Sequence, residues 1–415
     1  MKTLLKNPAQ IVTVSTGGKN HKRGKELNEI FVLENHSLIF EDEKILDLIP
    51  NASITNESEY KIIDVKDKVI LPGLVECHTH TAFAGSRAYE FRLKLAGKSY
   101  EELAKLGGGI NTTVSAVRNS SFDELVKLIS PRINYFIAQG ITTLEIKSGY
   151  GLDFENEIKL LQVIQHLQKL FPITLVPTFL GAHTIPTEMK ENRNVYIHEI
   201  THKMLPFIAE NDLAKFCDGF CESTAFSADE INLIFSHAQA FGLELKLHAE
   251  QFNSIGGIDV ALKHQAVSID HLEVIKEKDI SKVAQSDSVA VLLPGVSFFL
   301  NSDFAPARKL INAGALVALS TDYNPGSSNI ADVSFIMSLA ALKMQMTIEE
   351  TISAVTINAA KALLLSEEVG SLEIGKKADL AVFDAEDYSD IVYHIGKNLN
   401  GMTIKNGEVI YQKVN

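Results

Sequence analysis

His78-Thr79-His80 sets two imidazoles two residues apart, directly after an apolar run. On an extended strand, residues i and i+2 share a face, so both rings are expected to point the same way. Two neutral imidazoles side by side can bind a divalent metal, most often zinc. Polar groups recur where other apolar runs end: Lys147 and Tyr150, His183, Glu222, then His248, Glu250 and Gln251, then Asp270 and His271, and last Asp322 and Asn324. Five of the 13 histidines stand at such positions. With His248 and Asp322 joining the first pair, the pattern is that of an enzyme with a bound metal. Cys77 alternates away from the two histidines and is expected to pack against surrounding helices. Glu76 shares their face on the same count and is a candidate supporting group. Cys217 and Cys221 have no second pair to complete a zinc site and read as core.

Elements that would position these groups follow from periodicity. Apolar runs at Val69–Val75, Ile141–Ile146, Ile173–Phe179, Phe216–Cys221, Leu243–Leu247, Ala266–Ile269, Val289–Leu293 and Leu316–Leu319 read as eight strands. Between them, helical spacing appears over Ser121–Gln139, Phe154–Leu170, Ser227–Phe241 and Ser302–Ala313. Ser121-Phe-Asp-Glu and Ser227-Ala-Asp-Glu fit the capping box. Eight strands each followed by helix predict an α/β fold of the (β/α)8 TIM barrel type, in which catalytic groups gather at the C-terminal strand ends. A doubly wound sheet would need a phosphate-type glycine loop after its first strand, and none is there. Gly107-Gly108-Gly109 follows a helix and reads as a mobile loop, a candidate lid.

Both chain ends read differently. Ile11–Ser15, Ser37–Phe40 and Lys44–Leu48 are short strands, as are Asp379–Phe383, Met402–Lys405 and Glu408–Tyr411. Asn406-Gly407 between alternating apolar residues is a strong hairpin signal. Residues 1–68 and 368–415 are expected to form one small β-sandwich domain around a hydrolase barrel over 69–367. A net charge of −13 argues against nucleic acid and anionic membranes as partners and leaves a small molecule. Three cysteines make no disulfide framework, and no secretory signal or run of about 18 apolar residues is visible. A cytoplasmic protein is expected.

Pro72-Gly73-Leu74-Val75 with His78-Thr79-His80, and the closing Gly370-Ser-Leu-Glu-Ile-Gly-Lys-Lys-Ala-Asp-Leu-Ala-Val-Phe-Asp384, resemble the metal-dependent amidohydrolase superfamily. Further segments sharpen the likeness to its branch that opens an imidazolone ring carrying a propionate. They are the stretch from His78 to Arg87, Glu145-Ile-Lys-Ser-Gly-Tyr150-Gly, Phe179-Leu-Gly-Ala-His183, His248-Ala-Glu-Gln251 and Ser320-Thr-Asp322-Tyr-Asn324-Pro-Gly326-Ser327. Together they span nearly the whole chain. The resemblance implies one metal, zinc or iron, divalent or trivalent, held by His78, His80, His248 and Asp322. It implies substrate contacts from Arg87, Tyr150, His183 and Gln251, with Asn324, Gly326 and Ser327 completing the pocket. It allows a homodimer, for which the sequence offers no interface signal.

A metal lowers the pKa of a bound water to about 7, and hydrolysis of a cyclic amide needs such a nucleophile at the ring carbonyl. Asp322 can accept the proton of that water. His271 can hydrogen-bond the developing oxyanion. Asp322, Glu250 and His271 are the candidate acids for the departing nitrogen. Arg87 suits the propionate, because a guanidinium can pair a carboxylate through two bonds. Lys147 reads as structural or supporting. Ring deaminases of the superfamily place a glutamate where Gln251 stands, and glutamine moves no protons. Binuclear members use a lysine from the fourth strand, which here ends Cys-Glu-Ser. A deaminase of a ring amine and a metal-free scaffold are the rival readings.

Overall fold

The computed structural model describes residues 2–97 and 108–414. Eight parallel strands form one sheet in strict chain order: Leu74–Glu76, Ile141–Lys147, Thr174–Ala182, Phe216–Cys221, Glu244–Ala249, Ser268–His271, Val289–Leu292 and Leu316–Leu319. Each is followed by helix, as the alternation of apolar runs and helical spacing requires. Past the ends of the first and last strands, Asp322 N donates to His78 O at 3.1 Å and His80 N to Tyr323 O at 3.0 Å. These bonds and the parallel bridge Thr79–Tyr323 close the barrel.

Both expected capping boxes form: Ser121 pairs with Glu124 ahead of Phe122–Ile137, and Ser227 with Glu230 ahead of Ala228–Ala240. One helix is shorter than its spacing suggested. It runs Ala307–Asn312, not from Ser302, because Pro306 biases the residue before it away from helical dihedrals.

A second correction concerns the stretch Val69–Val75. It is two strands. Val69–Pro72 pairs with Leu380–Phe383 and with Gln10–Val12 in a six-stranded sheet, and only Leu74–Glu76 enters the barrel. Gly73 sits at the break, where a Cβ would overlap the Thr142 side chain. The chain can pass from one sheet to the other there only without a side chain. A four-stranded sheet built from Thr3–Lys6, His36–Glu41, Lys44–Pro50 and Lys61–Asp64 faces the six-stranded one. Leu5, Phe40 and Ile45 of the first pack with Ile70, Val382 and Ile404 of the second, so both chain ends share one core. The Asn406-Gly407 hairpin has φ of 51° and 78°, the two positive values a tight twisted hairpin turn needs.

Gly107 of the glycine run lies outside the described residues. Gly109 has φ 90° and caps the helix Ile110–Asn119. Among the described residues no helix is long and apolar enough to cross a membrane. Gly73→Ala is expected to lower stability by about 1–3 kcal/mol, as overpacking does, read from the urea midpoint; an unchanged midpoint would show that Thr142 yields without cost.

Candidate metal and substrate site

Three strand exits deliver four polar side chains to one point. His78 and His80 follow the first strand, His248 ends the fifth, and Asp322 follows the eighth. Asp322 Oδ1 lies 3.4 Å from His78 Nε2 and 3.2 Å from His80 Nε2, and His80 Nε2 lies 3.3 Å from His248 Nε2. His78, His80 and Asp322 form one group able to hold a cation, and His78, His248 and His271 form another sharing a member.

Hydrogen bonding on the far side of two rings fixes what they present. His78 Nδ1 donates to Asp270 Oδ2 at 2.6 Å, and His248 Nδ1 to Asp218 Oδ1 at 3.1 Å. A neutral imidazole that donates through Nδ1 keeps a lone pair on Nε2. Burial lowers the pKa of His80 and holds His248 well below the usual range, which favours neutral rings. His78 Nε2 and Asp322 Oδ1 are buried and have no hydrogen-bond partner. Buried lone pairs aimed at one another and at a carboxylate oxygen are costly alone and are what a cation needs. The donor set, three nitrogens and one carboxylate oxygen, fits zinc or iron.

A cavity of about 610 Å³ opens above these atoms, and His80, His248, His271 and Asp322 form part of its lining. Tyr150 and His183 stand on one side, with His183 stacked on His80 at 5.1 Å between centroids. His183 Nδ1 donates to Gly149 O at 2.8 Å, and burial pushes its pKa down to about 3, so it presents a bare Nε2. Burial raises the pKa of the Tyr150 phenol, which stays protonated. Gln251 and Arg87 also line the cavity. Asn324 Oδ1 accepts from Gly326 N and Ser327 N at 2.8 and 2.7 Å, and Asn324 Nδ2 donates to Asp322 Oδ2 at 3.0 Å. That loop is therefore tied to the carboxylate it follows. At Gly326 a Cβ would overlap the Arg87 guanidinium, so the glycine leaves room for that side chain where it stands.

His271 donates from Nδ1 to Glu273 Oε1 at 3.2 Å. Burial opposes its charged form, while Glu273, Asp322 and Asp270 favour it, and the pKa is raised. Glu250, His271 and Asp322 all have left-handed backbones, with φ of 58°, 85° and 50°. Such conformations concentrate where surrounding structure fixes a functional side chain.

Not every expected group meets the cavity. Glu250 is absent from its lining, and burial raises its carboxyl pKa. Glu222 accepts from Phe252 N, Asn253 N and Asn253 Nδ2, anchoring the segment after the fifth strand. Cys77 is buried in a cluster that joins strand residues such as Val75, Val289 and Val291 with the helical residues Val296, Ala359 and Ala360. The first barrel strand ends at Glu76, so alternation does not carry on to His78. Glu76 accepts from Thr321 N at 3.2 Å and from His78 N at 3.4 Å and lies against Ser320 Oγ, so it supports the segment that carries His78 from under the closing seam. Cys217 and Cys221 are buried and unpaired.

Glu90 was not singled out by sequence. Its Oε2 accepts from Arg87 Nε and Gly109 N, each at 3.0 Å, and its Oε1 from Thr112 Oγ1 at 2.9 Å. Its signal was a carboxylate three residues beyond the arginine at a helix start, which is a common surface pairing. Glu145, Asp218 and Lys246 were also missed, although each interrupts an apolar strand.

Residues 69–410 match the amidohydrolase family. In solved structures, an adenosine deaminase from Xanthomonas campestris with bound zinc shares the fold, with a TM-score of 0.73 at 17% identity, over 98% of this chain and 92% of that one. Imidazolonepropionase of Geobacillus sp. (strain WCH70) is 41% identical, over 98% of this chain and 97% of its own. Imidazolonepropionase of Alkaliphilus oremlandii is 42% identical, over 99% and 98%. The chain belongs to the imidazolonepropionase family within the amidohydrolases.

Burial raises the Glu76 pKa to about 8, so the folded metal-free protein keeps a proton that the unfolded chain loses near the ordinary 4.5. This group's contribution to stability is complete below about 4.5 and declines as pH rises toward 8, by up to about 1.4 kcal/mol per unit. Glu76→Gln is expected to flatten that decline in urea unfolding of the metal-free protein; an unaltered slope would place the proton elsewhere.

Proposed function

We propose that this chain hydrolyses the ring of 4-imidazolone-5-propanoate to N-formimidoyl-L-glutamate, a step in histidine degradation. One observation carries the reading: three imidazoles and Asp322 Oδ1 converge at the floor of a cavity whose wall holds Arg87. The relatives' shared name supports the substrate. His78, His80, His248 and Asp322 would hold the ion, zinc or iron, which supplies an activated water near neutral pH and polarises a carbonyl.

The chain's own residues do the rest. Arg87 binds the propionate with the N–H groups that Glu90 leaves free, and Glu90 keeps the guanidinium from swinging out to solvent. His183, bare at Nε2, accepts a ring N–H, and Tyr150 donates from its phenol. Gln251 orients the ring by hydrogen bonds and moves no proton. Asp322 accepts the proton of the attacking water. His271, whose charged form Glu273 favours, donates to the oxyanion and then to the departing nitrogen. Glu250 is the weaker candidate for that acid, because it does not line the cavity. Three buried, unpaired cysteines suit a reducing cytoplasm.

The decisive assay follows loss of imidazolonepropionate on protein of measured metal content. Ring opening without ammonia release is expected; ammonia from amino-heterocycles with the imidazolone untouched would make the chain a deaminase. Arg87→Ala should raise KM about 10- to 100-fold, matching the ~1.5–3 kcal/mol of a charged hydrogen bond, with metal content unchanged. Asp322→Asn should remove nearly all turnover and lower metal content; near-normal rates would strip Asp322 of both roles.

A further inference from the structure

Beneath the four candidate ligands the barrel is filled with charge. Lys147 Nζ donates to Asp218 Oδ2 at 2.8 Å, lies 2.9 Å from Glu145 Oε2 and reaches within 4.0 Å of Asp270 Oδ2. Lys246 Nζ lies 3.0 Å from Glu145 Oε1 and 4.0 Å from Asp270 Oδ2, and donates to Cys77 O at 2.7 Å. Thr178 Oγ1 donates to Glu145 Oε1 at 2.6 Å. All five charged side chains are fully out of water. Asp218 and Asp270 are also the acceptors of His248 and His78. Both rings thus reach Lys147 through one carboxylate each, and Lys246 joins the same network through Glu145 and Asp270.

Formal charges add a second observation. Glu145, Asp218, Asp270 and Asp322 carry four negative charges, and Lys147 and Lys246 carry two positive ones. With the rings of His78, His80 and His248 neutral, these six groups sum to a formal charge of −2, which favours a cation at the site.

We propose that Lys147 and Lys246, coupled through Glu145, are positioning residues of the metal site: they fix Asp218 and Asp270 so that His248 and His78 present Nε2 to one divalent cation. The inference rests on reading His78, His80, His248 and Asp322 as the ligands. It differs from a packing role and from a purely Coulombic one. On charge alone, removing a lysine brings the interior to −3 and should tighten cation binding. If the lysines position the rings, removing one should loosen it.

The test titrates metal-free protein with zinc against a competing chelator and records the visible spectrum of the cobalt(II)-loaded form. Lys147→Met and Lys246→Met are each expected to weaken zinc binding about 10- to 100-fold, the usual cost of losing a group that orients a ligand, and to change the cobalt spectrum. A purely structural role would lower the melting temperature and leave both readouts as they were. Equal or tighter zinc binding by a folded lysine variant overturns the proposal. Should neither single variant fold, the double variant Lys147→Met with Glu145→Gln removes one charge of each sign. The same loss of affinity is expected there, and unchanged affinity again overturns the proposal. If the unsubstituted protein bound no zinc at this site, the ligand assignment itself would fail, which is a distinct result.

Discussion

None of the ionised groups inside this barrel could remain charged there alone. Moving one carboxylate or ammonium out of water costs several kcal/mol even after relaxation. Glu145, Lys147, Asp218, Lys246 and Asp270 are all fully buried within hydrogen-bond or ion-pair reach of one another. Burial works against the Lys147 ammonium, yet Asp218, Glu145 and Asp270 hold its pKa above that of an ordinary lysine. Each charge is tolerable because its neighbours are present. The interior is therefore set as a unit, and the ring orientations of His78 and His248 are set with it.

That unit has to be closed, and its closure uses the ligand segments themselves. The first barrel strand has only three residues, Leu74–Glu76, too few to pair fully with both neighbours. His78 O and His80 N bond instead to the backbone of Asp322 and Tyr323. Three candidate ligands thus lie on the two segments that join the first strand to the last. Glu76, buried beneath Ser320 and Thr321, ties the same seam from below. A change that loosened the barrel's closure would also pull the ligands apart, which couples folding to metal binding in this chain.

The barrel was legible in the sequence because its strands are buried on both faces and so appear as continuous apolar runs. Helix starts were legible where Ser and Glu stand three apart. What escaped reading is instructive. Val69–Val75 is one apolar run, and nothing in its composition separates a sandwich strand from a barrel strand; only the contact of Gly73 with Thr142 divides them. Strict alternation failed past Glu76, because the period of two holds only while the strand continues. It still left His78 and His80 correctly together, on either side of the closing bridge at Thr79. Lys147 and Asp270 were visible at strand exits, but their partners Glu145, Asp218 and Lys246 were not. A lone charge within an apolar strand has no local signature of the partner two strands away.

A barrel of this kind hosts many chemistries, so fold alone does not choose a substrate. Here the choice falls to groups above the metal floor, and they are held less rigidly than those below it. Lys147 and Lys246 are fixed by several partners in a water-free interior. Arg87 is fixed chiefly by Glu90, which also holds Gly109 and Thr112 at the start of the next helix. The same carboxylate therefore sets both the arginine that would meet an anionic substrate and the wall beside it. Evolution of a new specificity on this scaffold could alter Glu90 and its neighbours without touching the buried charges. The reverse is not open: a change among the buried charges would unsettle the ligand rings, and with them every chemistry the barrel could perform.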